Sequence, residues 1–354
     1  MALSYYKETL RETARKLATP GKGILAVDES TNTCGKRLAS IGVENTEENR
    51  QAYRGMLFTT EGLGNYISGA ILFEETLFQD HADGESMVAK LEKQGIVPGI
   101  KVDKGLKPLV GGLEHETYCS GLDGLTERAS DYYARGARFA KWRAVLQITA
   151  DGPSDLAIRE NAWGLARYAR SVQEAGLVPI IEPEILMDGD HDILTTSEIQ
   201  EKIIKEVYFA CQQNGVYLEG TLLKPSMTVP GSNNESKSDP KNVALATVTT
   251  LLRSVPAAVP GIVFLSGGLS EEEASLYLNE MNLLAADKPW NISFSYGRAL
   301  QHSCLKAWAG SNIDKGQKAL IARAQANSEA SKGVYVLGSH PSSDEKLFVS
   351  GYTY

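Results

Sequence analysis

The sequence lacks the features that mark several classes of protein. No stretch of its 354 residues approaches the roughly 18 consecutive apolar residues of a membrane span. The formal net charge of −8 gives no reason to expect a nucleic-acid partner. The amino-terminal segment 1–23 has no apolar core of a signal peptide and is too acidic for a transit peptide, so it is predicted to form a short helix.

Cysteine is scarce, and common catalytic and metal-binding motifs are missing. The four cysteines are scattered without a C-x-x-C pair, which predicts reduced thiols and a cytoplasmic location. No H-E-x-x-H, P-loop or G-x-S-x-G motif occurs. His115 and Cys119 have no partners at zinc spacing. The segment Asp188-Gly-Asp-His-Asp192 begins like a calcium loop but has Ile193 and Ile199 at the positions of the required glycine and glutamate, so it is predicted to be a polar turn.

Short apolar runs recur along the chain and predict about eight strands, each followed by a helical segment. The predicted strands lie near 23–28, 66–73, 96–102, 139–145, 178–184, 218–224, 261–267 and 291–296. Continuous apolar strands alternating with helices indicate a parallel sheet buried on both faces. Eight repeats predict an α/β protein with a (β/α)8 TIM barrel, a single domain over 1–354 with a flexible tail at about 333–354. An open doubly wound sheet is the alternative, although no G-x-G-x-x-G follows an early strand.

Capping and termination signals predict the boundaries of three helices. The segment after Asp151-Gly-Pro-Ser-Asp is predicted to be helical and to end near Gly176. Ser270 and Glu273 fit a capping box at the start of another helix. Ser197 is predicted to open a third helix that ends at Asn214-Gly215.

Charged side chains recur near the ends of the predicted strands. In a barrel, the groups that act on substrate project from the carboxyl ends of the strands. Residues two apart on a strand share a face, so Lys141 points with Arg143, and Glu182 points with Glu184. A single such pair is equally well explained as an ion pair between strand and helix layer. Its repetition on several strands favours a catalytic site, since buried charges are costly.

Lys224 is the most informative of these residues. It ends an apolar strand and precedes Pro225, where the chain turns. Burial and a cationic neighbour such as Lys141 lower the pKa of a lysine, and the neutral amine forms Schiff bases with carbonyl substrates. In isolation, a lysine reaching from the strand end to solvent is an equally good interpretation. Glu182, Glu184 and Asp28 are candidates for proton transfer, with a helix N-cap as the alternative for Asp28.

Glycine and serine clusters after the last two predicted strands point to a phosphate group. The segments Leu265-Ser-Gly-Gly268 and Ser295-Tyr-Gly-Arg298 lie where barrels often bind phosphate. Glycine lets backbone N–H groups approach an anion, and arginine can bind it with two hydrogen bonds. Lys36, Arg37 and Lys101 form a second cationic cluster, which makes a bisphosphate substrate conceivable.

Taken together, the segments LAVDEST, ENTEENRQAYR, GIKVDKG, AKWRAVL, EPEIL, DGDHD, LLKPSM, FLSGG and FSYGRALQ resemble class I fructose-bisphosphate aldolase. The resemblance runs from near the amino terminus to the terminal tyrosine. It implies a metal-free barrel enzyme without a cofactor that reversibly cleaves fructose 1,6-bisphosphate into dihydroxyacetone phosphate and glyceraldehyde 3-phosphate.

The resemblance also implies a role for each matching residue. Lys224 would form the Schiff base, Glu182 with Glu184 would act as general acid and base, and Asp28 would take the C4 hydroxyl proton. Terminal Tyr354 would assist proton exchange on the enamine. The residues that would contact substrate or bind its phosphates are Lys141, Arg143, Ser266, Gly267, Ser295, Gly297, Arg298, Lys101, Arg37, Ser30, Thr33 and Arg50.

Two departures and three alternatives accompany this resemblance. Thr33 replaces an expected serine, and the tail ends in SGYTY, which leaves tail kinetics and the preference between bisphosphate and monophosphate open. The alternatives are another Schiff-base enzyme, namely a transaldolase or a deoxyribose-phosphate aldolase, and a scaffold role in binding actin or adaptor tails. The resemblance further implies a homotetramer.

Overall fold

The computed structural model describes residues 2–236 and 239–351, and the following statements concern that part of the chain. Its strands are β1 Gly23–Val27, β2 Ile67–Leu72, β3 Val97–Lys101, β4 Leu106–Pro108, β5 Thr117–Cys119, β6 Phe139–Leu146, β7 Val178–Ile185, β8 Leu222–Leu223, β9 Gly261–Phe264 and β10 Asn291–Tyr296. Its α-helices are α1 Ala2–Leu17, α2 Thr31–Ala39, α3 Glu47–Phe58, α4 Glu74–Phe78, α5 Met87–Lys93, α6 Leu125–Ala134, α7 Asp155–Glu174, α8 Ile193–Gln213, α9 Pro240–Ser254, α10 Glu271–Leu283, α11 Arg298–Trp308 and α12 Ile313–Ala330.

Eight parallel strands close into a barrel in the order β1-β10-β9-β8-β7-β6-β3-β2. The predicted TIM barrel is therefore confirmed, and the open doubly wound sheet is wrong. The sequence did not predict the antiparallel hairpin of β4 and β5 between β3 and β6. The sixth predicted strand was too long at its start, because Leu218–Gly220 forms a 3₁₀ turn before β8.

The helix boundaries mostly follow local capping. Ser154 caps α7 and Gly176 follows its end with φ +84°, as predicted. The capping box of Ser270 and Glu273 opens α10. Helix α8 begins at Ile193 rather than at Ser197, because the Asp192 side chain accepts a hydrogen bond from the backbone N–H of Thr195 and caps the helix one turn earlier.

The barrel interior has an apolar end and a charged end. Helix α1 packs its buried residues Leu10, Ala14 and Leu17 against inward-facing barrel residues and so covers the amino-terminal end. The inward-facing residues of that end are Ile24, Ala26, Ile71, Val97, Phe139, Val178, Ile180, Leu222 and Val263. Side chains alternate along a strand, so residues two or four positions later on the same strand also face inward. These later positions hold the charged groups at the carboxyl end of the barrel.

Candidate active site

Lys224 follows β8 directly and lies inside the charged end of the barrel. Its backbone N–H donates to the carbonyl of Ile181 at 2.8 Å, so it extends the ladder between β7 and β8. Its side chain is two residues above the inward-facing Leu222 and is 5% exposed. Nζ lies 3.4 Å from Oε1 of Glu182. The lysine therefore does not extend into solvent, and its amine lies beside a carboxylate that can exchange a proton with it.

Glu182 connects Lys224 to a second buried ion pair. Its Oε2 lies 3.6 Å from Nζ of Lys141, which lies 2.6 Å from Oδ2 of Asp28. The order Lys224, Glu182, Lys141, Asp28 alternates in sign, so the four formal charges cancel. The side chain of Lys141 is fully buried. Alternation offsets the cost of burial, since an isolated charge in such a place would be strongly destabilising.

The charge of Asp28 is held by its cationic neighbours. Burial raises the pKa of this carboxyl, but Lys141, Lys224 and Lys101 outweigh that effect and lower the pKa to about 2. Asp28 is therefore a carboxylate at neutral pH and can accept a proton. The alternative of a helix N-cap is wrong for Asp28, because the cap of α2 is Ser30.

Arg143 and Glu184 form the next inward-facing pair, one step nearer the mouth of the barrel. Arg143 Nε donates to Oε2 of Glu184 at 2.5 Å, and both side chains are buried. Burial raises the pKa of Glu184, but Arg143 and then Arg298 and Lys224 reverse this, and the net pKa lies below its ordinary value. Glu182 and Glu184 thus share a face, as predicted, but contact different cations.

A cavity opens over this cluster. Residues from β1, β7, β8, β9 and β10 or their carboxyl ends line it, in keeping with a site at the carboxyl face of a barrel. The charged residues in its lining are Asp28, Glu29, Arg37, Glu182, Glu184, Lys224 and Arg298. Its lining combines Lys224 with the arginines Arg37 and Arg298, which suits a carbonyl compound that carries an anionic group.

The predicted phosphate segments meet at one edge of the cavity. Ser266, Gly267, Ser295, Gly297 and Arg298 all line it. Helix α11 begins at Arg298, and no side chain caps its start at Gly297, so its amino terminus is available to an anion. The Ser295 hydroxyl is buried without a hydrogen-bond partner among the described residues, as a ligand-binding hydroxyl would be. Gly267 has φ +56°, which favours glycine.

The residues predicted for the second phosphate have protein partners in the structure. Ser30 Oγ accepts from the backbone N–H of Thr33 at 3.3 Å and donates to its hydroxyl at 3.1 Å. Lys101 Nζ lies 2.8 Å from Oδ1 of Asp103. Arg37 pairs with Glu29 and lines the cavity.

Arg50 lies in a different environment. Its guanidinium binds both carboxylate oxygens of Glu75, at 2.9 and 2.5 Å, and Oδ1 of Asn45 at 2.9 Å. Arg50 is not part of the cavity lining. To contact a substrate in the cavity it would have to leave these partners.

Sequence reasoning missed three buried side chains of the site. Glu29 follows Asp28 directly and pairs with Arg37. Asp103 is two residues beyond Lys101 and pairs with it. Gln301 Nε2 donates to Oε1 of Glu29 at 3.2 Å and to the carbonyl of Ala26 at 2.6 Å. All three belong to segments already singled out, Glu29 to LAVDEST, Asp103 to GIKVDKG and Gln301 to FSYGRALQ, in which it lies one helical turn after Arg298.

The segment predicted as a tail crosses the mouth of the barrel without helix or strand from 333 to 351. Leu347 N–H donates to the carbonyl of Gly268 at 3.2 Å, and its own carbonyl accepts from Arg298. The mobility of the tail stays a prediction. Tyr354 lies outside the described residues.

Comparison with known proteins identifies the relatives of this chain. The family model for class-I fructose-bisphosphate aldolase matches residues 9–354. The chain is 57% identical over 352 residues to Arabidopsis thaliana fructose-bisphosphate aldolase 3, chloroplastic, covering 99% of this chain and 89% of that relative. It is also 57% identical over 347 residues to the cytosolic aldolase 4 of that plant, covering 96% and 88%.

A solved structure agrees in fold and in sequence. The aldolase of Plasmodium falciparum, solved in complex with TRAP and a small-molecule inhibitor, has a TM-score of 0.92 and 54% identity, covering 94% of this chain and 96% of that one. The chain belongs to the class I fructose-bisphosphate aldolase family. It is a carbon–carbon lyase with fructose-bisphosphate aldolase activity, and the alternatives of a transaldolase and a deoxyribose-phosphate aldolase are set aside.

The predicted cytoplasmic location is wrong. Similar relatives from Arabidopsis thaliana, Oryza sativa and Pisum sativum are named chloroplastic, although cytosolic aldolases also match. The prediction was based on cysteine usage, which indicates redox conditions but does not identify the cellular compartment. The four cysteines are buried and form no disulfide. In the part of the chain that the structure describes, no helix is both long and apolar enough to cross a membrane.

Proposed function

We propose that this aldolase cleaves fructose 1,6-bisphosphate through an imine between the substrate carbonyl carbon and Nζ of Lys224. The observation that supports this most directly is the buried Lys224 amine, 3.4 Å from the Glu182 carboxylate, in the wall of a cavity that Arg298 also lines. A nucleophilic amine needs a base that removes its proton, and Glu182 has the required contact.

The proposed proton transfers follow from the positions of Glu182 beside Lys224 and of Asp28 beside Lys141. Glu182 takes a proton from Lys224, the neutral amine adds to C2, and Glu182 returns the proton when the carbinolamine loses water. Asp28 then accepts the C4 hydroxyl proton while the bond from C3 to C4 breaks. The electron pair of that bond moves into the iminium and gives an enamine, and glyceraldehyde 3-phosphate leaves. Protonation of the enamine at C3, with help from Tyr354, and hydrolysis release dihydroxyacetone phosphate.

The remaining site residues would position the substrate. Ser266, Gly267, Ser295, Gly297 and Arg298 would bind one phosphate at the start of α11. Lys141 would stabilise the carboxylates and contact the sugar, with Arg143 and Glu184 nearer the mouth. The residues proposed for the other phosphate or its path are Ser30, Thr33, Arg37, Lys101 and Arg50. For Arg50 this role requires release from Glu75.

The reaction is proposed to need neither metal nor cofactor, because the imine itself accepts the electron pair. Borohydride trapping with dihydroxyacetone phosphate in the presence of EDTA, followed by peptide mass mapping, tests this. We expect a reduced adduct on Lys224 and none in Lys224→Met, which should still bind phosphate. Lys202→Met, on the exposed face of α8, is a matched control that should be trapped normally. Loss of activity in EDTA, or an adduct on another lysine, would contradict the proposal.

A scaffold role and a homotetramer are further proposals. The 54%-identical Plasmodium falciparum aldolase was solved in complex with TRAP, which supports a capacity of the fold to bind a protein partner. We propose that actin or acidic adaptor tails bind near the mouth of the cavity, whose lining includes Arg37 and Arg298. Pull-down competed by fructose 1,6-bisphosphate tests this, since partner binding that ignores the substrate would argue for another surface. Sedimentation equilibrium tests the tetramer.

A further inference from the structure

The last described contact of the tail is made by a carboxylate that the reaction does not use. Asp188 lies three residues after β7, the strand that carries Glu182 and Glu184, and is 8% exposed. Its Oδ1 accepts from the hydroxyl of Ser350 at 2.6 Å and from the backbone N–H of Gly351 at 2.8 Å. These two bonds join residues more than 160 positions apart in the chain.

The hydrogen bonds of the Asp188 carboxylate are made with the tail and not with the loop that contains Asp188. Helix α8, which follows, is capped by Asp192 instead. The second oxygen of Asp188 is buried and has no hydrogen-bond partner among the described residues. Burial of such an acceptor is unfavourable, so local stability alone does not explain an aspartate here. Hydrogen bonds from Ser350 and Gly351 to an ionised oxygen are of the stronger, charge-assisted kind.

Three residues earlier, the tail is held by the proposed phosphate site. Leu347 bonds to Gly268 through its N–H and to Arg298 through its carbonyl. Phe348 packs so closely on Gly268 that a Cβ on that glycine would lie 2.6 Å from the Cβ of Phe348. The tail therefore contacts the barrel mouth at two points. Leu347 and Phe348 form the first, and the hydrogen bonds to Asp188 form the second.

We propose that Asp188 is a positioning residue that docks the tail at the mouth of the barrel and so sets the rate of enamine protonation. Tyr354 is three residues beyond Gly351 in the sequence, so Asp188 binds the part of the tail that precedes the tyrosine. This inference rests on the proposed function, in which Tyr354 assists proton exchange. A neutral side chain at 188 would leave the barrel charges unchanged and free only the tail.

The experiment compares Asp188→Ala, Asp188→Asn and Tyr354→Phe in the full chain. In Asp188→Ala we expect turnover of fructose 1,6-bisphosphate to fall about tenfold, as for the loss of a hydrogen bond to a charged group, with KM unchanged or lower. Exchange of the C3 proton of dihydroxyacetone phosphate with deuterated water, followed by NMR, should slow equally. Release of glyceraldehyde 3-phosphate in a single turnover should keep its rate. Asp188→Asn, which retains an acceptor oxygen, should fall between wild type and Asp188→Ala.

The double variant decides how Asp188 acts. If it acts through the tail, adding Asp188→Ala to Tyr354→Phe should cause no further loss. A further loss, slower single-turnover cleavage, or unchanged proton exchange in Asp188→Ala would overturn the inference. Ser342→Ala, which removes a tail contact with Glu272 far from Asp188, is the matched control and should exchange normally.

Two readouts separate this inference from the proposed function. If wild type gives no borohydride adduct on Lys224, the proposed function itself fails. If the adduct forms in wild type and in Asp188→Ala alike, and exchange is unchanged, only the role of Asp188 fails. Thermal unfolding of each variant shows whether it folds. If Asp188→Ala does not fold, the comparison is made with Asp188→Asn, whose side chain is closest in shape to aspartate.

Discussion

The Nζ of Lys224 lies 3.4 Å from Oε1 of Glu182, with both side chains almost fully buried. The two residues are 42 positions apart in sequence and meet because β7 and β8 are neighbours in the barrel. At this distance a proton can pass between amine and carboxylate with little movement. The pair makes Glu182 the main general acid and base in the proposed mechanism, and this can be tested directly.

Replacing Glu182 by glutamine should remove proton transfer while keeping the shape of the side chain. We expect kcat to fall by about 10²–10⁴, the usual contribution of a positioned general acid or base. Steady-state kinetics with fructose 1,6-bisphosphate measures this. Glu201→Gln, on the outer helix α8, should leave kcat unchanged. A Glu182→Gln enzyme with nearly normal kcat would show that another group moves the proton.

Asp28 should make a pH-dependent contribution to stability. Its pKa of about 2 in the folded protein lies below the ordinary 3.8, so the stabilisation is fully present above pH 3.8 and is lost as pH falls towards 2. In urea unfolding, the difference in unfolding free energy between wild type and Asp28→Asn should shrink by roughly 2 kcal/mol over that window. Asp131→Asn, at an exposed position of α6, is the matched surface control. A difference that stays constant from pH 5 to pH 2 would contradict the expected pKa.

Arg143 and Glu184 should be strongly coupled in stability. Arg143→Met leaves a buried carboxylate without its main cation, and such a loss costs about 3–5 kcal/mol. Arg143→Met combined with Glu184→Gln removes both charges and should cost less than the sum of the single changes. Denaturant unfolding of the four proteins measures the coupling, expected at about 1–3 kcal/mol. Additive effects would mean that the two side chains do not depend on each other.

Replacing Arg298 and replacing Arg50 should have different effects on KM and on the melting temperature. Arg298→Ala should raise KM for fructose 1,6-bisphosphate about tenfold or more, because a charged hydrogen-bond donor to phosphate is lost. Arg50→Ala breaks the ion pair with Glu75 and should lower the melting temperature, with a smaller rise in KM than Arg298→Ala because Arg50 lies outside the cavity lining. Kinetics and thermal unfolding on both variants, with Arg50→Lys as the conservative comparison, check this. A larger effect of Arg50→Ala on KM than on stability would support Arg50 as a substrate contact.

Much of the barrel was predictable because its signals are local. Apolar runs between helix caps gave the barrel strands, and the period of two put Lys141 with Arg143 and Glu182 with Glu184. The errors occurred where local signals compete. Asp192 and Ser197 are both good caps, and only the packing of α8 decides between them. The hairpin of β4 and β5 has three-residue strands, too short for a pattern to be visible.

The sequence by itself indicated which side chains the proposed chemistry uses and determined which of them share a face of a strand, because alternation along a strand is a property of the backbone. Only the tertiary structure decided how they pair. Lys141 could have been the cationic neighbour of Lys224, but closure of the barrel interposes Glu182 between them. Pairing across strands depends on register and on side-chain reach in three dimensions. The same holds for Asp188 and the tail, whose meeting depends on the path of the chain over the barrel mouth.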